Sequence, residues 1–521
     1  MLFRKAKQER KTLCRKYPSG RKKISNVARK GEQTLDKAQR KGWLYGLGIL
    51  LSLFFLVMPL SQARAETVDV PTVRVLIDQP VTVEIKIASG RYGLIDEQTG
   101  MPIDYQPTQG DWRITAVGRA LQITSGGQAL PRTYSGPIYL HGIAGTENIL
   151  EINGKKYRGN LRIYPPQAVD QRGLVLINDL DLESYLYGVV GPEMGFGAPQ
   201  EALKAQAVVS RSYALYHLTI RQRSNSLFDL RADTSSQVYR GIEGERDHIR
   251  QVVDDTRGQV LHYDGRVIEA VYHSNAGGKT ESAQFVWNES RPYLEGVTSP
   301  DDAYAEELST ATAAAYRWRK TITAQEITER AQSITGRDIG TVKAIRIAEK
   351  SPTGRVIRLE VVGSKETITV DKLLVRALVN TPSTLFTVAS AVTSTENTIV
   401  GKPTGNSTIT VLAADESPRA YTIKEASVFA MGADLIPRQV DAAKELFILS
   451  QGGLNQSSTI EIRPGDTFTL QGHGYGHGVG MSQWGAMGMS IKGKTYKEIV
   501  EHYYGGSQRN GRLQIVGDWG T

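Results

Sequence analysis

Cysteine is almost absent from this 521-residue chain: the one cysteine, Cys14, lies in a basic N-terminal stretch. Everything after it can form no disulfide and offers no thiolate as nucleophile or metal ligand, which excludes zinc-ribbon and papain-like chemistry. Acidic residues are scarce at the start as well: residues 1–41 carry 15 Lys and Arg against 3 Asp and Glu, a local charge of +12. The whole chain carries +9, so residues 42–521 carry −3. The basic character therefore belongs to the tail and not to a nucleic-acid-binding face, and no nucleic-acid partner is expected. No repeat of fixed period is visible, which argues against a solenoid.

Charge is also missing from residues 42–63, whose apolar run 44–60 is long enough to cross a bilayer. A basic flank before an apolar run keeps the tail inside and delivers the rest of the chain to the outside. Ala63-Arg64-Ala65 presents small residues where a signal peptidase requires them. Residues 42–65 thus read as a cleaved signal peptide or a retained signal anchor. Either way an exported protein is expected, in the periplasm or cell wall, secreted or attached to the membrane through 42–63.

Length sets the domain count at about two to four folded units. With 52 Gly, 20 Pro and 22% charged residues, the chain reads as globular and turn-rich. Residues 66–165 show short alternating strands such as 73–77 and 81–86, a β-rich N-terminal unit. Asn153-Gly154 and Asp264-Gly265 sit between apolar runs, as type I′ hairpins require. From 182 to 222 the pattern is helix, interruption, helix. Pro192 and Gly195-Phe196-Gly197 break it, and Ala198-Pro199-Gln200-Glu201 starts a helix of about five turns through His217. Residues 319–390 read as α/β, with a helix after Thr323, strands at 342–348 and 356–362, and a helix from Asp371. A Thr/Ser/Gly-rich stretch, 391–465, reads as an insertion or accessory β unit, and 466–521 closes the chain.

Two segments could carry chemistry. Glu193 stands among Val190, Pro192, Met194 and Phe196, where partial desolvation would raise its pKa and suit it to general acid catalysis. From the residues alone, an ordinary acidic residue near a helix start, favoured by the dipole, is the better explanation. Lys204 and Arg211 are seven apart and share a helix face. They are a solvated basic face, a substrate contact, or groups that orient Glu193 and depress its pKa.

The second segment runs from Gly472-His473-Gly474-Tyr475-Gly476-His477 to Met481-Ser482-Gln483-Trp484-Gly485. Its alternate glycines allow positive φ and close approach of the backbone to a ligand. His477, Ser482 and Gln483 could hydrogen-bond sugar hydroxyls, and Tyr475 or Trp484 could stack on a pyranose. A His473/His477 metal pair needs a helix that these glycines oppose, so no metal is expected. A Ser482–His477 dyad has the right residue types but lacks a nucleophile elbow.

Pro192-Glu193-Met194 followed by Glu201-Ala202-Leu203-Lys204-Ala205-Gln206-Ala207 and Ser210-Arg211-Ser212-Tyr213-Ala214 resembles the core motif of the SpoIID/LytB family. Gly476-His477-Gly478-Val479-Gly480-Met481-Ser482-Gln483-Trp484-Gly485-Ala486 and Tyr503-Tyr504-Gly505-Gly506 resemble its C-terminal signature. The resemblance implies an α+β protein whose mixed α/β core, 166–390 with 466–521, acts on peptidoglycan glycan strands. It implies a lytic transglycosylase that leaves 1,6-anhydro ends, with Glu193 as the essential acid and Lys204 and Arg211 in support. No cofactor is implied, and the zinc of some relatives would need cysteines missing beside His273. Other members are enhancers of cell-wall amidases, which keeps a non-catalytic role and an amidase partner open. Should water be the nucleophile instead, a base would be sought among Asp301, Asp302 and His477.

Overall fold

The computed structural model describes residues 69–505 and 511–520, apart from 105–110, 146, 168–172, 225 and, between 393 and 466, everything but four short strands. The apolar run 44–60 lies outside the described residues. Among those described, no helix is long and apolar enough to cross a membrane.

The chain is α+β. Val83 and Ile85 alternate with Glu84 and Lys86 along the strand Thr82–Ser89, and the same period recurs in Asp111–Val117 and Ala120–Ser125. These strands form an antiparallel six-stranded sheet that ends at the hairpin Ile149–Ile152/Lys155–Arg158. Asn153 and Gly154 turn that hairpin at φ 47° and 80°, and Asp264 and Gly265 turn another at 51° and 74°, as type I′ turns demand. A second, seven-stranded sheet contains Thr72–Asp78, Val175–Asp181 and Asn160–Tyr164 as neighbours. The division expected at 165/166 therefore falls inside one sheet, where the strand opening the core pairs with strands of the N-terminal unit on both sides. Inward residues of both sheets share a single core with the helices of the next segment.

Those helices are Leu182–Tyr187, the single turn Val190–Met194, and Gln200–Arg223, longer at its C-terminal end than the sequence suggests. A smaller body with its own core contains the three-stranded sheets Arg317–Thr323/Thr467–His473/Phe386–Val392 and Val342–Lys350/Val356–Gly363/Thr367–Asp371. Thr323 caps its helix Ala324–Thr335 through a reciprocal capping box with Glu326. The helix expected from Asp371 begins later: Asp371 ends a strand, Lys372 turns the chain at φ 55°, and the helix is Leu373–Val379. Val392 pairs with Thr467, so the segment 393–466 leaves and re-enters at adjacent strand ends. Its described strands form the hairpins Ser407–Leu412/Pro418–Ile423 and Val428–Met431/Pro437–Val440.

Candidate functional site

Pro192 fits the first turn of Val190–Met194, where its missing N–H removes no helical bond, and Gly195 ends the turn at φ 84°. This places Glu193 half-buried beside the long helix. Its Oε1 accepts from the backbone N–H of Val238 at 2.6 Å, and its Oε2 from Gln483 Nε2 at 3.4 Å. Gln483 also donates to the backbone oxygen of Glu193 at 3.1 Å, across 290 positions of sequence. The Tyr272 hydroxyl is the third donor. Burial pushes the carboxyl up from its ordinary value, and the Val238, Tyr272 and Gln483 hydrogen bonds pull against it without cancelling it.

A second tier of neutral groups fixes these donors. Gln237 Nε2 donates to the Tyr272 hydroxyl at 3.2 Å, which leaves that hydroxyl's proton for Glu193, and the Tyr185 hydroxyl donates to Gln237 Oε1 at 3.2 Å. Gln206 Nε2 donates to Ser210 Oγ at 2.8 Å, and its Oε1 lies 3.5 Å from Gln483 Nε2. Gln206, Ser210 and Gln237 are fully buried. Sequence reading missed Tyr272, Gln206 and Gln237. Gln206 left one trace, a lone amide in the apolar run Ala205-Gln206-Ala207-Val208; Gln237 left none.

Lys204 and Arg211 do not reach Glu193. Lys204 Nζ pairs with Asp255 at 2.9 Å and lies 3.8 Å from Glu201. Arg211 is fully buried and clamps Glu183 with Nε at 2.8 Å and Nη2 at 2.7 Å, while Nη1 donates to Gln259 O and Nη2 also to Val253 O. The shared face is real, but it packs on the helix Asp247–Asp255. Gln206, two residues past Lys204 and about 200° round the helix, faces Glu193 instead.

The loop 472–485 is wound onto the core by its own backbone. Tyr475 and Asn275 exchange N–H···O bonds of 2.8 and 3.0 Å, and Met481–Ser482 runs parallel to Tyr272–His273. Its glycines are demanded by protein rather than by ligand. A Cβ at Gly480 would stand 2.0 Å from Val271 O, and one at Gly478 2.5 Å from Arg355 Cζ, both at positive φ. His477 Nδ1 accepts from the Val479 N–H at 3.1 Å, and the ring also bonds the backbone of Tyr272. Burial pushes this imidazole down to about 4, so it is neutral at physiological pH. His477 thus supports the strand that carries Tyr272, and both ring nitrogens are engaged.

Ser482 is fully buried, donates to Asp302 and accepts from the backbone N–H groups of Ala276 and Gly485, capping the helix Gln483–Ile491. It has no contact with His477 that would make a dyad, and its hydroxyl is spent inside the fold. Asp302 is fully buried, its carboxyl pushed up to about 6 by burial, and Asp301 pairs with Lys492. Neither is placed to activate water at Glu193. Trp484 is half-buried with its ring 6.2 Å from Tyr304, while Tyr475 is 48% exposed under the Arg376 guanidinium. His273 lies 5.4 Å from His477 between ring centroids, with Nδ1 donating to Val479 O. Among the described residues, no group of three His, Cys, Asp or Glu could hold a metal ion.

This arrangement offers one protonatable carboxyl, set among neutral donors and partly open to solvent. The SpoIID profile, described as stage II sporulation protein, matches residues 170–263, and a domain of unknown function (DUF8618) matches 301–405. An uncharacterised protein of Brachyspira hyodysenteriae is 30% identical over 372 residues, 71% of this chain and 76% of that protein. Stage II sporulation protein D of Bacillus subtilis is 25% identical over 64% of this chain and 75% of its own length. The amidase enhancer of the same organism is 24% identical over 70% of this chain but 45% of its own length. The motif around Glu193, the glycine loop and these relatives together place the chain in the SpoIID family.

Proposed function

We propose that this protein is exported and remodels the bacterial cell wall, cleaving peptidoglycan glycan strands as a lytic transglycosylase with Glu193 as the acid. The observation that carries the reading is the raised pKa of Glu193, held by Val238, Tyr272 and Gln483 with no Lys or Arg paired to it among the described residues. Such a carboxyl keeps its proton to a higher pH than an exposed one and can give it to a glycosidic oxygen. As the bond from the anomeric carbon to that oxygen breaks, the sugar's own C6 hydroxyl bonds to the same carbon. The carboxylate left on Glu193 accepts the C6 hydroxyl proton, so the acid is regenerated and no water is consumed. One carboxyl suffices, where a hydrolytic glycosidase generally uses two. Tyr475 and Trp484 remain the groups for contact with sugar rings. The 42–65 segment supports delivery outside the cytoplasmic membrane, as a cleaved signal or an anchor.

The test is Glu193→Gln, which keeps the shape but removes the transferable proton and replaces one acceptor oxygen with an amide NH2. Mass spectrometry of purified glycan strands should show 1,6-anhydro ends from the wild type and about 10²- to 10⁴-fold slower release from the variant. Because a raised folded pKa weakens wild-type stability as pH rises through it, the melting temperature of the variant relative to wild type should be higher at pH 7 than at pH 4. Ordinary reducing ends from the wild type would refute the transglycosylase step. The similarity to an amidase enhancer favours a second reading, a non-catalytic glycan-binding partner of an amidase. It replaces the first if neither protein cleaves strands yet both bind them and stimulate an amidase.

A further inference from the structure

In the smaller body the turn 351–355 joins the strands Val342–Lys350 and Val356–Gly363 and carries a cation, Arg355, into the glycine loop. Arg355 is 2% exposed, and its Nη2 donates to Ala276 O at 2.6 Å. The guanidinium lies flat on Gly478, since a Cβ there would stand 2.5 Å from Cζ, 2.6 Å from Nη2 and 2.7 Å from Nε. Among the described residues, Nε and Nη1 have no hydrogen-bond partner and no carboxylate pairs with this cation. Glu281 and Asp302 attract it from farther off, and His273 and His477 nearby are neutral at pH 7. A buried, unpaired guanidinium lowers stability, and an apolar side chain of similar length would pack there at less cost.

Its contacts give it another use. The turn is fastened to the larger core by the Ser351 and Thr353 hydroxyls, which donate to buried Glu281, and the Glu281 N–H donates to Gly478 O at 2.7 Å. From Arg355 two short routes lead to Glu193. Ala276, whose carbonyl Arg355 holds, donates its N–H to Ser482, and Ser482 caps the helix whose first residue is Gln483. Gly478 precedes Val479, whose carbonyl bonds His273, the neighbour of Tyr272 on its strand. Earlier in the loop, Trp318 Nε1 donates to Gly474 O at 3.0 Å and Pro382 O accepts from the Gly476 N–H at 2.9 Å.

We infer that Arg355 is a positioning residue, through which the smaller body holds the glycine loop, and with it Gln483 and Tyr272, against Glu193. The inference rests on the proposed role of Glu193 and gives a function to part of the region matched by the domain of unknown function. Arg355→Met removes the fork and keeps an unbranched stem. In the full chain, NMR of isotope-labelled glutamate carboxyls reads Glu193 directly, its signal being the one lost in Glu193→Gln. Loosened Gln483 and Tyr272 donors favour the ionised carboxyl less, so Glu193 should titrate at higher pH in Arg355→Met than in wild type. Combined with Gln483→Leu, the shift should be smaller than the sum of the two single shifts, because both act on one donor. On glycan strands kcat should fall by about tenfold or more with KM near the wild-type value, since buried Arg355 is out of a glycan's reach. Arg355→Lys, which keeps the charge and loses the fork, carries the same test if the methionine variant does not fold. A folded variant whose Glu193 titrates as in wild type overturns the inference, as do additive shifts or a loss of kcat that only follows the loss of folded protein. Absence of cleavage by the wild type would refute the proposed chemistry and leave the titration to decide this inference.

Discussion

Replacing Arg211 separates structural support from catalysis at a residue the family motif marks as important. Its guanidinium and the Glu183 carboxylate are 0% and 1% exposed and joined by two parallel bonds of 2.8 and 2.7 Å. Arg211→Met keeps the length of the stem and removes the charge, leaving Glu183 with the Trp519 indole N–H at 2.9 Å and the Gly258 N–H at 3.2 Å. It also strands the carbonyl of Gln259, while that of Val253 keeps the Thr256 N–H and hydroxyl. Removing one member of a buried pair is worth about 3–5 kcal/mol, and the two remaining donors place this case near the lower end. With a urea m-value of about 3 kcal/mol/M, the midpoint should fall by roughly 1 M. Unfolding followed by circular dichroism reads that shift. Arg211→Met/Glu183→Gln should recover much of the loss, since a neutral amide still accepts from Trp519 and Gly258 without a buried charge. Wild-type stability in Arg211→Met together with collapsed glycan cleavage would refute the reasoning and return Arg211 to the substrate.

The same geometry gives two further outcomes. Gln483→Leu removes a hydrogen bond that favours ionised Glu193, so the alkaline limb of the pH–rate profile should move to higher pH; a shift to lower pH would contradict the assigned donor. Gly478→Ala brings a Cβ against Arg355 at φ +85°, so it should lower the thermal midpoint and slow cleavage, whereas a variant indistinguishable from wild type would remove the reason given for that glycine.

Local rules read directly from the sequence survive into the structure where neighbours in sequence decide the outcome. The Asn153-Gly154 and Asp264-Gly265 turns are type I′ because a two-residue hairpin needs positive φ twice, and Thr323 caps its helix because Glu326 is three residues on. The same reasoning marked Glu193 as a carboxyl among apolar neighbours and Lys204 and Arg211 as sharing a helix face. Direction was what it lacked. Helical period places those two residues together but cannot say which neighbouring element that face meets, and here it meets Asp255, Glu183 and the backbone of Val253.

The sequence by itself therefore determined the hairpins, the helix starts at Gln200 and Ala324 and the two motifs, since each depends on residues a few positions apart. Tertiary structure alone decided that Gln483 bonds Glu193 across 290 positions, that Tyr272 and Gln237 complete its cradle, and that Ser482 and His477 are consumed by the fold. A hydrogen bond reaches about 3 Å, and no local pattern records which distant segments the burial of two cores will bring within that reach.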